Sequence, residues 1–366
     1  MTCDLLGLAT PGVAGILPYQ PGKPIEELER ELGLSNIIKL ASNENAFGQS
    51  PAVLQGLARF KDLLRYPDGN GFLLKQALAG FHHIDPRQIT LGNGSNDILD
   101  LVVRVFVTDR DETLYARHAF AIYPIVTQAV GARAVEVPAR NWGHDLDAMA
   151  AAITDRTRVI FIANPNNPTG TWLRGDELDA FMQRVPENVI VLMDQAYFEY
   201  VLEAGYPDCI TWVRRYPNLI ATRTFSKVYG LAALRVGYSV SHPDVADLLN
   251  RVRQPFNVNS VALQLAEIAL GDQAHIKKCI ECNRTGLRQL AEGLDGMGIH
   301  FIPSVANFLC LDLQQPAAEF YQSLLREGVI VRPIAGYGMP DHLRVTVGLP
   351  EENRYFLEAL AKVLSR

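Results

Sequence analysis

A chain of 366 residues that is 48% hydrophobic and 20% charged has the balance of a soluble globular protein, and it is too long for one ordinary core. Its net charge of −6 argues against nucleic acid as a main partner, and no basic run or aromatic-basic stripe offsets that. No apolar run has membrane-spanning length, the apolar start from Leu5 to Leu17 is broken by Pro11 without a basic leader, and the five cysteines are irregularly spaced, so a cytoplasmic protein without a disulfide framework is expected.

Residues 1–22 read as an irregular arm rich in Gly and Pro. Pro24 opens a helix over 25–32 with acidic residues in its first turns, where the helix dipole favours them. An apolar run at 37–40 leads into a polar loop, Ala41-Ser-Asn-Glu-Asn-Ala-Phe-Gly48, and helices are expected at 51–59 and 71–82. From residue 88 short apolar runs alternate with helical stretches: strands at 88–91, 112–115, 133–137, 157–163 and 189–193, helices at 96–106, 121–129, 146–152 and 175–184. This is the pattern of an α/β domain with a largely parallel, buried sheet. Two more strand-like runs flank residues 223–235. Helices at 261–271 and 274–294 then give way to an α+β tail, with strands at 306–312, 329–331 and 342–347 and helices at 317–326 and 351–364. The expected division is an arm and small-domain segment over 1–45, a large domain over 46–255 and a small domain over 256–366.

In parallel sheets, ligands gather at the carboxyl ends of the strands. The first strand-end loop, Leu91-Gly-Asn-Gly-Ser-Asn-Asp97, opens a helix whose free N–H groups at Ser95 and Asn96 suit a phosphate. The second places Phe120 to stack on a flat ring. The third, Asn164-Pro-Asn-Asn-Pro-Thr-Gly170, is a stiff turn that fixes Asn167 as a donor to a phenolate-like oxygen. The fourth ends an all-apolar strand on Asp194, a carboxylate that needs a partner such as a pyridinium N–H, with Tyr197 within reach of the same ring's phenolic oxygen.

The stretch Arg223-Thr-Phe-Ser-Lys-Val-Tyr-Gly-Leu-Ala-Ala-Leu-Arg235 completes the set. A desolvated lysine among cations loses its charge and becomes a nucleophile for aldehydes, which makes Lys227 a candidate Schiff-base residue. Ser226 and the planar fork of Arg235 suit phosphate oxygens. Aldehyde, phosphate and aromatic nitrogen together describe pyridoxal 5'-phosphate (PLP). Cys279-Ile-Glu-Cys282 has no second CxxC and His82-His83 has no neighbouring ligands, so no metal site is expected.

Asn164-Pro-Asn-Asn-Pro-Thr-Gly170, Asp194-x-x-Tyr197 and Ser226-Lys227 with Arg235-x-Gly-Tyr238 resemble the fold-type I, class I/II PLP-dependent aminotransferases. Tyr19-x-Pro-Gly22, Leu40 to Gly48, Arg65-Tyr-Pro-Asp68 and Leu343-Arg-Val-Thr-Val-Gly348 are similar to motifs of the histidinol-phosphate aminotransferase family over nearly the whole chain. The resemblance implies catalytic roles for Lys227, Asp194 and Tyr197, and a cofactor phosphate held by Ser95, Asn96, Ser226 and Arg235. It implies a homodimer with shared active sites, in which Tyr66 reaches the phosphate of the other subunit. It further implies that Arg344 binds the glutamate carboxylate, with Tyr19, Asn43 and Arg332 at the substrate end. The expected substrates are L-histidinol phosphate as amino donor and 2-oxoglutarate as acceptor, with ping-pong kinetics. An aromatic amino acid aminotransferase and a PLP-dependent amino-acid-phosphate decarboxylase are the alternatives. The chain departs from the pattern at Ala233, where glycine is frequent, and at Thr171-Trp172, which has no assigned partner.

Overall fold

The computed structural model describes residues 5–365; Cys3 lies outside the described residues. The N-terminal segment holds α1 (Pro11–Ala14), α2 (Ile25–Leu32) and β1 (Ile38–Lys39). Next come α3 (Pro51–Arg59), α4 (Phe72–His82), β2 (Ile89–Gly92), α5 (Ser95–Phe106), β3 (Glu112–Ala116), α6 (Ile122–Ala129), β4 (Arg133–Val137) and α7 (Leu146–Ala151). The alternation continues with β5 (Thr157–Ala163), α8 (Gly175–Met182), β6 (Ile190–Asp194), β7 (Leu219–Thr224) and β8 (Gly237–Val240). The remainder is α9 (Pro243–Val252), α10 (Ser260–Gly271), α11 (Gln273–Gly296), β9 (His300–Ile302), β10 (Phe308–Asp312), α12 (Ala317–Arg326), β11 (Val329–Ile330), β12 (Arg332–Pro333), β13 (His342–Thr346) and α13 (Pro350–Leu364).

The large sheet runs in the order β2-β8-β7-β6-β5-β3-β4. The strands from β4 to β7 are parallel neighbours, and β8 alone runs antiparallel to both β7 and β2. Strands covered on both faces must be apolar on both, and β5 meets that demand with Val159, Ile160, Phe161 and Ile162 all fully buried. Their side chains alternate between two cores: Ile160 and Ile162 belong to one, Val159 and Phe161 to the other. Each such side chain contributes about 1.5–3 kcal/mol of burial free energy.

A second sheet, β12-β13-β10-β9, packs with α11, α12 and α13 around a separate core. The chain's beginning is tied to this end, because β1 pairs in parallel with β11 and Leu28 of α2 packs with Leu325 and Ile330. The arm divides, however: Gly12 of α1 lies directly against Gln128 and Gly131 beside α6 of the large sheet. The position 255/256 falls ahead of α10, and α10 still packs in the large core through Ala262 and Leu265. α11 then crosses between cores, with Ile276 and Cys279 in the large one and Leu290 and Leu294 in the small one.

The hydrophobic pattern does not announce α1, α9 or β9. α1 has four residues and β9 three, too few to show a period. α9 starts on Pro243, a first-turn proline after His242, which accepts from the Asp244 N–H. Among the described residues no helix is long and apolar enough to cross a membrane.

Gly230 has a left-handed backbone (φ 69°), and a Cβ there would lie 2.8 Å from the Gly48 carbonyl. Gly80 in α4 has open space around it. Gly230→Ala should therefore lower unfolding free energy by more than about 2 kcal/mol, whereas Gly80→Ala should raise it by about 0.5–1 kcal/mol. Urea unfolding of the two variants checks the contrast.

Candidate active site

Four loops leave the carboxyl ends of β3, β5, β6 and β7 and converge on one cavity of about 200 Å³. Its lining includes Phe120, Asn167, Asp194, Tyr197, Ser226 and Lys227 from these loops. Ser95, Asn96 and Arg235 join them from the α5 and β8 side. Tyr19, Asn43, Arg332 and Arg344 close the other end. Of the cofactor and substrate residues expected from the sequence, Tyr66 is the one outside this lining. It is 82% exposed and stacks on Phe256, with ring centroids 4.7 Å apart.

Asp194 ends β6, and its direct neighbour across the β6–β7 register is Thr222. The Thr222 hydroxyl donates to one carboxylate oxygen of Asp194 and the Tyr123 hydroxyl to the other, each at 3.1 Å. Burial pushes this carboxyl above the usual carboxylate range, against the pull of those donors, the Ala196 N–H and Lys227. A carboxylate enclosed in this way needs a cationic or N–H partner from the cavity side.

Lys227 follows β7, and its Nζ donates to the Ser42 carbonyl at 3.1 Å. Burial, and then the nearby charge of Arg344, bring its pKa down to about 7; Arg235 adds to the shift, while Glu44 and Asp194 oppose it. This amine is available as a nucleophile near neutral pH.

At the α5 end the helix starts at Gly94 (φ 78°) without a side-chain cap, so its first N–H groups remain available to an anion. A Cβ on Gly94 would lie 2.3 Å from Arg235 Nη2, so only glycine leaves room for that guanidinium. Arg235 itself has φ 54° and donates to Ser226 Oγ at 3.2 Å. Helix N-terminus, hydroxyl and guanidinium together form an anion cup. Ala233 is exposed nearby, so its methyl meets no obstacle.

Tyr197 is buried, and Asn43 Nδ2 donates to its hydroxyl oxygen at 2.9 Å. The Tyr197 hydrogen is therefore left to donate into the cavity. Asn43 also bonds Thr346 through its N–H and its side-chain oxygen, so it joins the large sheet's loop to β13. Arg344 donates to Asn167 Oδ1 at 2.6 Å and to the Ala41 carbonyl at 2.7 Å, and its Nε is buried with no protein acceptor among the described residues. Arg332 stands directly opposite Arg344 across β12 and β13, donates to the Gln20 carbonyl and lies over the Tyr19 ring at 5.5 Å. Two like charges facing each other on neighbouring strands are unfavourable without an anion between them.

Tyr123 and Thr222 belong to this site through their bonds to Asp194, although the sequence alone assigns neither a role. Tyr123 reads as a core residue of α6, and Thr222 as one of several small residues of β7. Thr171 and Trp172 lie in a different cavity, shared with Trp142.

The profile of the family "Aminotransferase class I and II" matches residues 35–360. The chain is 57% identical over 369 residues to histidinol-phosphate aminotransferase 2 of Pseudomonas fluorescens, covering 100% of both chains. It is 53% identical over 361 residues to histidinol-phosphate aminotransferase 1 of Idiomarina loihiensis, covering 98% of both. The crystal structure of histidinol-phosphate aminotransferase from Sinorhizobium meliloti in complex with pyridoxal-5'-phosphate superposes with a TM-score of 0.89 at 27% identity, covering 98% of both chains. Sequence similarity over the full length, the strand-end constellation and the shared architecture agree: the chain belongs to the class I and II aminotransferases, in the histidinol-phosphate aminotransferase family.

Proposed function

We propose that the chain transfers the amino group of L-histidinol phosphate to 2-oxoglutarate, giving imidazole acetol phosphate and L-glutamate, with PLP as cofactor. The observation that carries this reading is the Arg332–Arg344 pair facing the cavity that holds Lys227 and Asp194. Two guanidiniums suit the doubly charged phosphate of one substrate and the carboxylates of the other.

The donor set fits PLP. The buried carboxyl of Asp194 lines the cavity and would accept from a ring N–H. The anion cup of Ser95, Asn96, Ser226 and Arg235 matches a phosphate, with Phe120 beside the ring. Tyr197 and the Asn167 amide serve its phenolic oxygen. When bound, PLP supplies an aldehyde that takes up an amine and a ring that withdraws electrons from the carbon bearing that amine. Lys227 Nζ, neutral above about pH 7, removes and returns the proton at that carbon. Asp194 would hold the ring nitrogen by accepting its N–H. Arg344 fixes the anionic end of either substrate, and Arg332, Tyr19 and Asn43 complete that end.

We also propose a homodimer. Leu63, Leu64, Tyr66, Phe72 and Leu73 are each more than half exposed within eleven residues, a cluster suited to a second copy of the chain. Tyr66 would then serve the partner's phosphate cup. The free thiols of Cys209, Cys279, Cys282 and Cys310 suit a reducing cytoplasm. The two domains follow the two cores, with the boundary inside α11 and not at residue 255.

The enzyme should turn over histidinol phosphate with kcat/KM about 100-fold above that for phenylalanine. Equal preference would make it an aromatic aminotransferase, and carbon dioxide release without 2-oxoglutarate consumption would make it a decarboxylase. Carbamylation of Lys227 in the apoprotein by cyanate, read by peptide mass, should rise with a midpoint near pH 7. Because Arg344 lowers this pKa and Glu44 raises it, Arg344→Ala should move the midpoint up and Glu44→Gln should move it down. A midpoint near 10 would remove Lys227 from its proposed role. Tyr66→Phe and Lys227→Ala subunits, each impaired alone, should recover activity when mixed; no recovery would count against a shared site.

A further inference from the structure

The strand ends gather the cofactor-facing residues, but they do not fix the segment that joins the two substrate-end arginines. That segment runs from Arg332 in β12 to Arg344 in β13 and carries a tight turn, Ala335–Tyr337, at its middle. Gly338 follows in the left-handed region (φ 71°). Across the cleft, in the loop after β3, stands His118, also left-handed (φ 59°).

His118 makes contacts in three directions. Its Nδ1 lies 2.6 Å from the Tyr337 carbonyl; a carbonyl oxygen only accepts, so Nδ1 carries the hydrogen. Its own carbonyl accepts from Asn166 Nδ2 at 3.0 Å, one residue before Asn167. Its ring centroid is 5.4 Å from that of Trp142, which in turn sets its edge against His342 of β13 at 5.0 Å. The ring also packs on the turn's backbone, since a Cβ on Gly338 would be 3.6 Å from His118 Cε1. One residue thus connects three segments: its ring ties the Phe120 loop to the turn between the arginines, and its backbone carbonyl ties in the Asn167 loop. It is absent from the cavity lining.

We infer that His118 is a positioning residue: by clasping the β12–β13 turn it holds Arg332 and Arg344 at the spacing that anionic substrates require. The inference rests on the proposed role of that pair as the substrate-anion site. The physical reason is the repulsion between two guanidiniums on paired strands. With the turn anchored, the pair is preorganised before an anion arrives. With the turn released, the arginines relax apart and the ligand must draw them back, which weakens binding and leaves the chemical step alone.

The test uses the PLP-loaded enzyme with His118→Phe, which keeps a ring but has no donor, and His118→Asn, which keeps a short N–H donor and tolerates a left-handed backbone. The probe is succinate, an unreactive dicarboxylate, titrated by calorimetry. His118→Phe should raise the succinate Kd and the KM for 2-oxoglutarate about fivefold, the worth of one neutral hydrogen bond. kcat and the PLP Kd should stay within about twofold of the parent, and His118→Asn should restore most of the loss. If the Phe variant does not fold, His118→Gly, which relieves the backbone, should show the same weakening. An unchanged succinate Kd, an equal loss of PLP affinity, or no restoration by Asn overturns the inference. Arg344→Ala separates the two levels. If it leaves succinate binding intact, the anion-site reading itself fails; if it abolishes binding while His118→Phe does not weaken it, the clasp alone fails.

Discussion

The arrangement depends on one costly group, a carboxylate at the buried end of β6. Asp194 is 6% exposed and sits at the end of an otherwise apolar strand. The fold offsets part of its desolvation with hydroxyls from β7 and α6, which reach it because β6 and β7 are in register and Tyr123 faces the same core. Period-two geometry then divides the labour between the sheet's faces. Thr222 points to Asp194, and the next residue, Arg223, turns to the opposite face, where it binds Gln195 and Asp208. The same strand therefore supports the site on one side and ties the strand ends together on the other. Lys227 lies just beyond, where burial first and then the charge of Arg344 bring its pKa down to about 7.

The Arg332–Arg344 end of the cavity follows a different logic. It is assembled from β12 and β13 of the small sheet, from the N-terminal segment and from the asparagine loop of the large sheet. Asn43 (φ 55°) is the joint, bonded to Tyr197 on one side and Thr346 on the other. Gly170 gives a further close approach between these parts: a Cβ there would lie 2.1 Å from Ser304 Oγ, and Val305 donates to the Gly170 carbonyl. The two ends of the cavity thus share a backbone seam, and Arg344 bonds directly to Asn167 across it.

Much of this was legible in the chain because strand-end chemistry leaves a linear trace. An apolar run that stops abruptly on Asp194, or a glycine-rich turn that opens a helix at Ser95, carries its meaning within a few residues. The sheet's parallel character and most helix limits followed from hydrophobic period in the same way. Tyr123 and Thr222 left no such trace, since their bond to Asp194 arises from strand register and helix docking. The Asn43–Tyr197–Thr346 connection joins three distant segments through one side chain, which no local pattern encodes. Tyr66 was placed by resemblance alone, and within one chain it does not meet the cavity. The boundary expected near residue 255 was drawn where helices take over after the last strand of the large sheet, and that order does not reveal which core a helix such as α10 will join.

α11 carries a consequence of another kind. Its 24 residues span roughly 36 Å, with one half buried in each core. Neither half can complete its packing unless the corresponding core is intact, so loosening one core reaches the other through a single rigid helix.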